Sequence, residues 1–464
     1  MRKVLLIGAI LSCACVCVRA QEESAPEVKV ITLDDAIRIA LTENETVKIA
    51  DMDIEKAGYA KKGTYASLFP QVDGTGSYQR TIKKQVMYMD FTTTGSSSSS
   101  SSSESSTGTT GASAGIEVGR SNTWSAGVSA SMPLVNAQLW ESIRISAQDV
   151  ELAVEKARGS RLDMVTQVKQ AYYGVLLAKE SFNVYKEVYE NALANCELTQ
   201  KKYNAQKASE LDLTRAKTSV ANAIPNVYDS ENSVILGLWQ LKALMGMDLD
   251  ENIDIAGSIM DYADQMSADL YEHEGEGVED NSSLKQLAIQ AEELASTLKM
   301  QKLAYAPSLS LAFSYAINAM ANDFVFKDYR WSPYSYVGLS LSIPIFAGGK
   351  RLSNVKKAQV QLDEMKLQQA STERQLRIAI RQYLNTMETS LRTYEAANDA
   401  LGTAEKAYSI AEKSYGVGRS TLTDLNDARL SLTQAQLNVC QSIYKFVVAK
   451  SNLEQTIGAD YTEE

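Results

Sequence analysis

The sequence predicts a mainly α chain with a membrane β-barrel, internally duplicated and contributing four strands. Three observations carry that expectation. The sequence is written twice; each copy holds a proline-free stretch of about 70 residues; and the segments before those stretches alternate apolar with small polar side chains.

The duplication shows as a constant offset. Lys202-Tyr203-Asn204-Ala205 followed by Glu210-Leu211-Asp212-Leu213 corresponds to Ser414-Tyr415-Gly416-Val417 followed by Thr423-Asp424-Leu425. Tyr203 and Tyr415, Asp212 and Asp424, and Gly246-Met247-Asp248 and Gly458-Ala459-Asp460 all stand 212 positions apart. Upstream, Ser131-Met132-Pro133-Leu134 answers Ser342-Ile343-Pro344-Ile345, and Leu68-Phe69-Pro70-Gln71 answers Tyr305-Ala306-Pro307-Ser308. The expected organisation is a signal peptide at 1–20, a first repeat at 21–243, an acidic linker at 244–280 and a second repeat at 281–464.

The signal peptide is read from basic Met1-Arg2-Lys3, the apolar run Val4 to Val18, and the small-x-small cleavage signal Val18-Arg19-Ala20. The run is too short for a spanning helix. It holds Cys13, Cys15 and Cys17, so only Cys196 and Cys440 remain, and a disulfide scaffold is excluded.

A helix is expected next, from Leu33 to about Leu68, with Asp34 and Asp35 in its first turn. Its counterpart runs from Ser283 to Tyr305, and Pro70 and Pro307 end the pair. Two strands follow in each copy. The first, Gln71 to about Tyr88, alternates least regularly. In the second, Trp124, Ala126, Val128, Ala130 and Met132 share one face against Ser125, Gly127, Ser129 and Ser131. The third sets Leu309, Leu311, Phe313, Tyr315 and Ile317 against Ser308, Ser310 and Ser314; the fourth sets Val337, Leu339, Leu341, Ile343 and Ile345 against Gly338, Ser340 and Ser342. Apolar alternating with small polar over about ten residues is the pattern of a membrane-barrel strand, although a half-buried soluble sheet shows it too. Four strands cannot close such a barrel, so it must be shared: two chains would give 8 strands and three would give 12. The first strand pair is joined by a serine-rich loop at about 92–120, with Gly95 and the serines 96–103. Trp331, Pro333, Tyr334 and Tyr336 crowd the second connection, as aromatics do at a membrane interface. Both loops are expected outside the cell.

Very long helices come next. No proline lies between Pro133 and Tyr203, or from Pro344 onward. At 1.5 Å per residue, about 70 residues of helix extend ~100 Å, which suits side-by-side coiled-coil packing rather than a compact domain. Between the repeats, 247–280 holds twelve acidic residues and no Lys or Arg, and reads as a solvated, mostly irregular insert.

Composition excludes several chemistries. Net charge is −11, with no basic face for nucleic acid. His273 is the one histidine, so histidine-dependent triads and histidine-rich metal sites are excluded. Asp248, Asp250, Asn252 and Asp254 imitate a calcium loop, but Ile253 and Ile259 stand where glycine and glutamate are required. Gly348-Gly349-Lys350 precedes Arg351 and lacks the first glycine of a phosphate loop; it reads as a turn into the long helix. No enzyme, cofactor or metal is expected.

These residues resemble the outer-membrane efflux protein (TolC) family. Ile31-Thr32-Leu33-Asp34-Asp35-Ala36, with Ala40-Leu41 and Asn44, is similar to its opening helix, and Ser67-Leu68-Phe69-Pro70-Gln71-Val72 to its approach to the first strand. Tyr415-Gly416-Val417-Gly418 followed by Thr423-Asp424-Leu425-Asn426-Asp427-Ala428 resembles its second periplasmic hairpin tip. The resemblance implies a homotrimer with a 12-stranded barrel in outer-membrane lipid and a coiled-coil α-helical tunnel in the periplasm. It implies a passive exit duct of a tripartite efflux or type I secretion system, with a periplasmic adaptor (membrane fusion) protein and an inner-membrane pump as partners. It further implies a gate: Asp424 and Asp427 match paired acids ringing a constriction, and Tyr415 and Asp212 match a tyrosine and an aspartate that link neighbouring hairpins. Arg419 stands one place before the position where a family member has a basic residue. The first tip has Gln206 and Lys207 in place of glycine, so its turn is expected to differ. A dipole-stabilised pair of acids at a helix N-terminus is the plainer reading of Asp424 and Asp427. A trimeric surface-anchored coiled coil or adhesin is the alternative function; adhesins usually place their strands at one terminus, whereas here strands interrupt the helices twice.

Overall fold

A computed structural model describes residues 29–88, 115–272 and 277–459. The expected signal peptide, most of the serine-rich loop and His273 lie outside them.

Within the first repeat the elements are β1 (Lys29–Ile31), α1 (Leu33–Glu43), α2 (Glu45–Ala66), β2 (Gln71–Arg80), β3 (Gln85–Tyr88), β4 (Gly115–Val118), β5 (Asn122–Val135), α3 (Ala137–Asn204) and α4 (Glu210–Met245). The insert supplies β6 (Ile253–Ile255), a 3₁₀ turn at Ile259–Tyr262 and α5 (Met266–Glu272). The second repeat has α6 (Ser282–Leu303), β7 (Ser308–Ala321), a 3₁₀ turn at Phe326–Asp328, β8 (Ser332–Ser342), α7 (Lys350–Gly416) and α8 (Leu422–Ile457). Two compact units cut across the repeats. One holds the chain up to Ala50, Arg158–Ser282 and Glu373 onward; the other holds Asp51–Ala157 and Ser283–Thr372.

In the second of these units, β2, β5, β7 and β8 form one antiparallel sheet in that order. The register explains why each strand alternates. Val72 pairs with Ala130, which pairs with Phe313, which pairs with Val337; two residues away, Met132, Leu311 and Leu339 stand in line. One face is therefore apolar across all four strands. The other carries Asp73, Ser129, Ser314 and Tyr336 in one row and Thr75, Gly127, Ala316 and Tyr334 in the next. Tyr334 and Tyr336, expected among interfacial aromatics, sit on this polar face instead. Strand alternation puts them opposite Val337 and Leu339. Among the described residues, β2 and β8 are the sheet edges, each with an unpaired side. The expected first strand also proves to be two pieces: β2 stops at Arg80, and β3 pairs with β4 as a separate hairpin. Beside the sheet, Leu298 of α6 packs on Ala358 and Leu362 of α7. Glu141 of α3, only 6% exposed, receives Lys299 of α6 at 2.8 Å.

The other unit contains α1, α4, α8 and the adjoining parts of α3 and α7. Its core is made by Tyr172, Leu176, Leu241, Met245, Ile443 and Phe446, all fully buried. The described part of the acidic insert packs onto this core rather than standing free in solvent. β6 pairs in parallel with β1, and Ile253, Ile255, Ile259 and Met266 are buried. The Tyr172 hydroxyl donates to the Ala256 carbonyl at 2.7 Å, and Lys179 pairs with Asp254 at 2.5 Å. Asp254 and Asp269 turn inward to pair with Lys179 and Lys450, and the isoleucines between the acids are buried, which the count of charges concealed.

The opening helix is likewise two helices. Asn44 takes an extended conformation at ψ 133° between α1 and α2; its Oδ1 accepts from Thr46 N–H, and its amide donates to the Leu244 carbonyl at 2.8 Å. Asn281 does the same in the second repeat, donating to Thr456 at 2.8 Å. In both repeats the receiving helix ends in a left-handed glycine, Gly246 at φ 68° and Gly458 at φ 85°. A Cβ there would stand 3.0 Å from the Glu43 carbonyl oxygen, or collide with that of Asp280. Each repeat thus closes with one clasp, an asparagine side chain over the last turn and a glycine beneath the incoming chain.

Candidate gate at the helix-hairpin tips

The two hairpins, α3–α4 and α7–α8, end in turns of one form. At the first tip, N–H groups of Ala205, Gln206 and Lys207 donate to Lys201, Tyr203 and Lys202. At the second, those of Val417, Gly418 and Arg419 donate to Lys413, Tyr415 and Ser414. Gln206 adopts φ 53° where Gly418 adopts φ 76°. The absent glycine does not change the turn, contrary to expectation: Gln206 accepts the left-handed conformation, and the same three backbone bonds hold it.

Helix starts after the turns are also duplicated. Ser209 and Thr421 are N-caps, each in a reciprocal capping box with Asp212 or Asp424. Asp212 accepts from the Ser209 hydroxyl at 2.7 Å and its N–H at 3.3 Å. Asp424 accepts from the Thr421 hydroxyl at 2.7 Å and its N–H at 2.9 Å. These bonds to Thr421 hold the Asp424 carboxyl below the usual carboxylate range. Asp427, one turn on, is exposed, as is Asp424. Arg419 is exposed too, and its backbone N–H closes α7 onto Ser414.

Tyr415 is not joined to Asp212 within the chain. Its ring is buried among Ala216, Leu422 and Leu425, with Cys196, Tyr408 and Ala411 around them. The hydroxyl bonds Thr199 of α3 at 2.7 Å. Lys202, also of α3, donates to the Tyr415 carbonyl at 2.9 Å and lies 4.3 Å above its ring. Tyr415 therefore ties one hairpin to the other, through partners the sequence did not single out. Within the second hairpin, Arg429 of α8, 7% exposed, lies over the Tyr408 ring of α7 at 5.8 Å and donates to that hydroxyl at 3.4 Å. Lys202 lies within the duplicated motif and Arg429 next after Ala428, but nothing in the spacing shows that they turn inward.

The chain matches the family model described as "Outer membrane efflux protein" in two segments, residues 36–247 and 277–459. It is 21% identical to outer membrane protein TolC of Vibrio cholerae over 323 residues, which span 69% of this chain and 73% of that protein. Alkaline protease secretion protein AprF of Pseudomonas aeruginosa is 21% identical over 275 residues, 58% of this chain and 56% of AprF. Among solved structures, the Campylobacter jejuni CmeC outer membrane channel superposes with a TM-score of 0.69 at 19% identity, covering 92% of this chain and 85% of that one. At that identity the superposition carries the fold.

Proposed function

Because the chain belongs to the outer membrane efflux protein family, we propose that it is the exit duct of an efflux or type I secretion system. It resides in the outer membrane, extends into the periplasm, and conducts substrates passively to the outside. The observation that carries this reading is the sheet with one apolar and one polar face, β2 and β8 open at its edges, and β5 and β8 each followed by a helix of 68 or 67 residues. Open edges are not tolerated in lipid, and three chains of four strands close a 12-stranded barrel with its apolar face outward. Cargo arrives from an inner-membrane pump through a periplasmic adaptor. TolC and AprF, to which this chain is similar, are named for an outer membrane protein and for protease secretion.

The gate is proposed at the hairpin tips. Three copies of Asp424 and Asp427 would present six carboxylates at a constriction, which favours cations. Tyr415 holds the two hairpins of one chain together there, and Asp212 and Arg419 complete the candidate set. Purified protein added to a planar lipid bilayer should give discrete, cation-preferring conductance steps; no conductance from correctly folded protein contradicts the duct.

A further inference from the structure

The apolar face of the sheet changes character at the strand ends remote from the long helices. Tyr78 and Trp124, paired across β2 and β5, lie 4.3 Å apart by ring centroid. The segment after β7 folds back onto them: Phe324 lies 5.9 Å from Tyr78, and Phe326 lies 5.0 Å from Trp124 and 5.0 Å from Tyr329, stacked on it at 24°. Hydrogen bonds fasten this segment. The Asp323 carbonyl accepts from the Tyr329 hydroxyl at 2.7 Å and from the Asn122 amide at 3.0 Å, and Asn322 Oδ1 accepts from Ser121 N–H at 3.1 Å. Ala319 and Ala321 are buried beneath it.

Charge is segregated to the same end. Among the described residues of 71–135 and 308–342, every lysine and arginine lies there: Arg80, Lys83, Lys84, Arg120, Lys327 and Arg330. Three acids, Glu117, Asp323 and Asp328, accompany them, and Lys84 pairs with Glu117 at 3.9 Å. Six cations against three acids is a local reversal in a chain of net charge −11. Arg80 follows Tyr78 by two residues on one strand and so continues the apolar face. Lys327, between Phe326 and Tyr329, and Arg330, next after Tyr329, are exposed.

We infer that this rim is a docking surface for the phosphates of anionic lipid headgroups around the barrel. The inference rests on the barrel reading above. Going outward along the face, aliphatic side chains meet acyl tails, the fastened aromatics sit at headgroup level, and the cations stand where the phosphates lie. Tyr78, Phe324 and Phe326 keep exposed ring surface at this level, and arginine and lysine extend past them to reach anions.

The full chain, solubilised with mixed phosphatidylglycerol and phosphatidylcholine, tests this by native mass spectrometry of the lipids it retains. Wild type should retain phosphatidylglycerol several-fold over phosphatidylcholine. The triple variant Arg80→Gln, Lys327→Gln and Arg330→Gln should lose that preference, with total bound lipid and bilayer conductance unchanged. Excess inorganic phosphate should leave the retained phosphatidylglycerol in place; displacement would reveal a site for free anions and overturn the inference. So would a wild type without preference, or a variant that keeps it. A wild type that conducts without preferring phosphatidylglycerol overturns the rim alone, whereas one that neither inserts nor conducts contradicts the barrel.

Discussion

Gln206 stands at φ 53°, where every other left-handed residue among those described is a glycine. A non-glycine side chain is strained there, so Gln206→Gly should stabilise the first tip by about 0.5–1 kcal/mol, less than the full strain because glycine also loosens the unfolded chain. A rise in the urea midpoint would show it; a fall would mean that the glutamine side chain contributes more than its backbone costs. At the second tip, Asp424 titrates below 3.8 because Thr421 donates to it. A carboxylate with a lowered folded pKa stabilises above its ordinary pKa and loses that contribution as pH falls through the lowered value. Thr421→Ala should therefore bring the Asp424 titration, followed by isotope-edited infrared absorption, back up toward 3.8; an unmoved titration would assign the shift elsewhere. The aspartates themselves were legible from the repeat. Their bonding was not read there, although Ser209 and Thr421 each stand three residues before an acid, the spacing of a capping box.

The long helices were legible as elements because proline is absent from them and turn residues punctuate them. α4 breaks the rule: it runs unbroken through Pro225, which cannot donate to Ala221, and the matching residue of α8 is Leu437. Pro225 is exposed, so Pro225→Leu should stabilise α4 by up to about 3 kcal/mol, the usual cost of an interior proline. Faster amide exchange over Ala221–Ser230 in the variant would contradict that. The clasps predict the opposite sign. Gly458→Ala must place a Cβ against Asp280 and hold φ at 85°, so it should cost several kcal/mol and reduce assembled protein, measurable as a lowered thermal midpoint. Neither clasp was legible as a contact. Asn44 and Gly458 were seen as matching residues, but the clasp bonds, Asn44 to Leu244 and Asn281 to Thr456, join positions 200 and 175 apart, and no local pattern encodes such a pairing.

At the scale of the whole chain, the two-faced sheet was legible because side-chain period and register agree: each strand's alternation needs only an even offset to merge into one apolar face. What alternation could not supply was the division of the first strand at Arg80, or the packing of the described part of the acidic insert, where isoleucines every few residues bury themselves between the charges. Removing 95–106 from the serine-rich loop should leave assembly and export intact, since a polar tract tolerates shortening; loss of assembly would make the loop structural. Assembly itself is the central claim, because β2 and β8 keep open edges that lipid forbids. Light scattering coupled to size exclusion, on detergent-extracted protein and corrected for detergent, measures it most directly. Three times the mass of one chain is the predicted result, and a stable monomer or dimer would contradict a 12-stranded barrel shared among three chains.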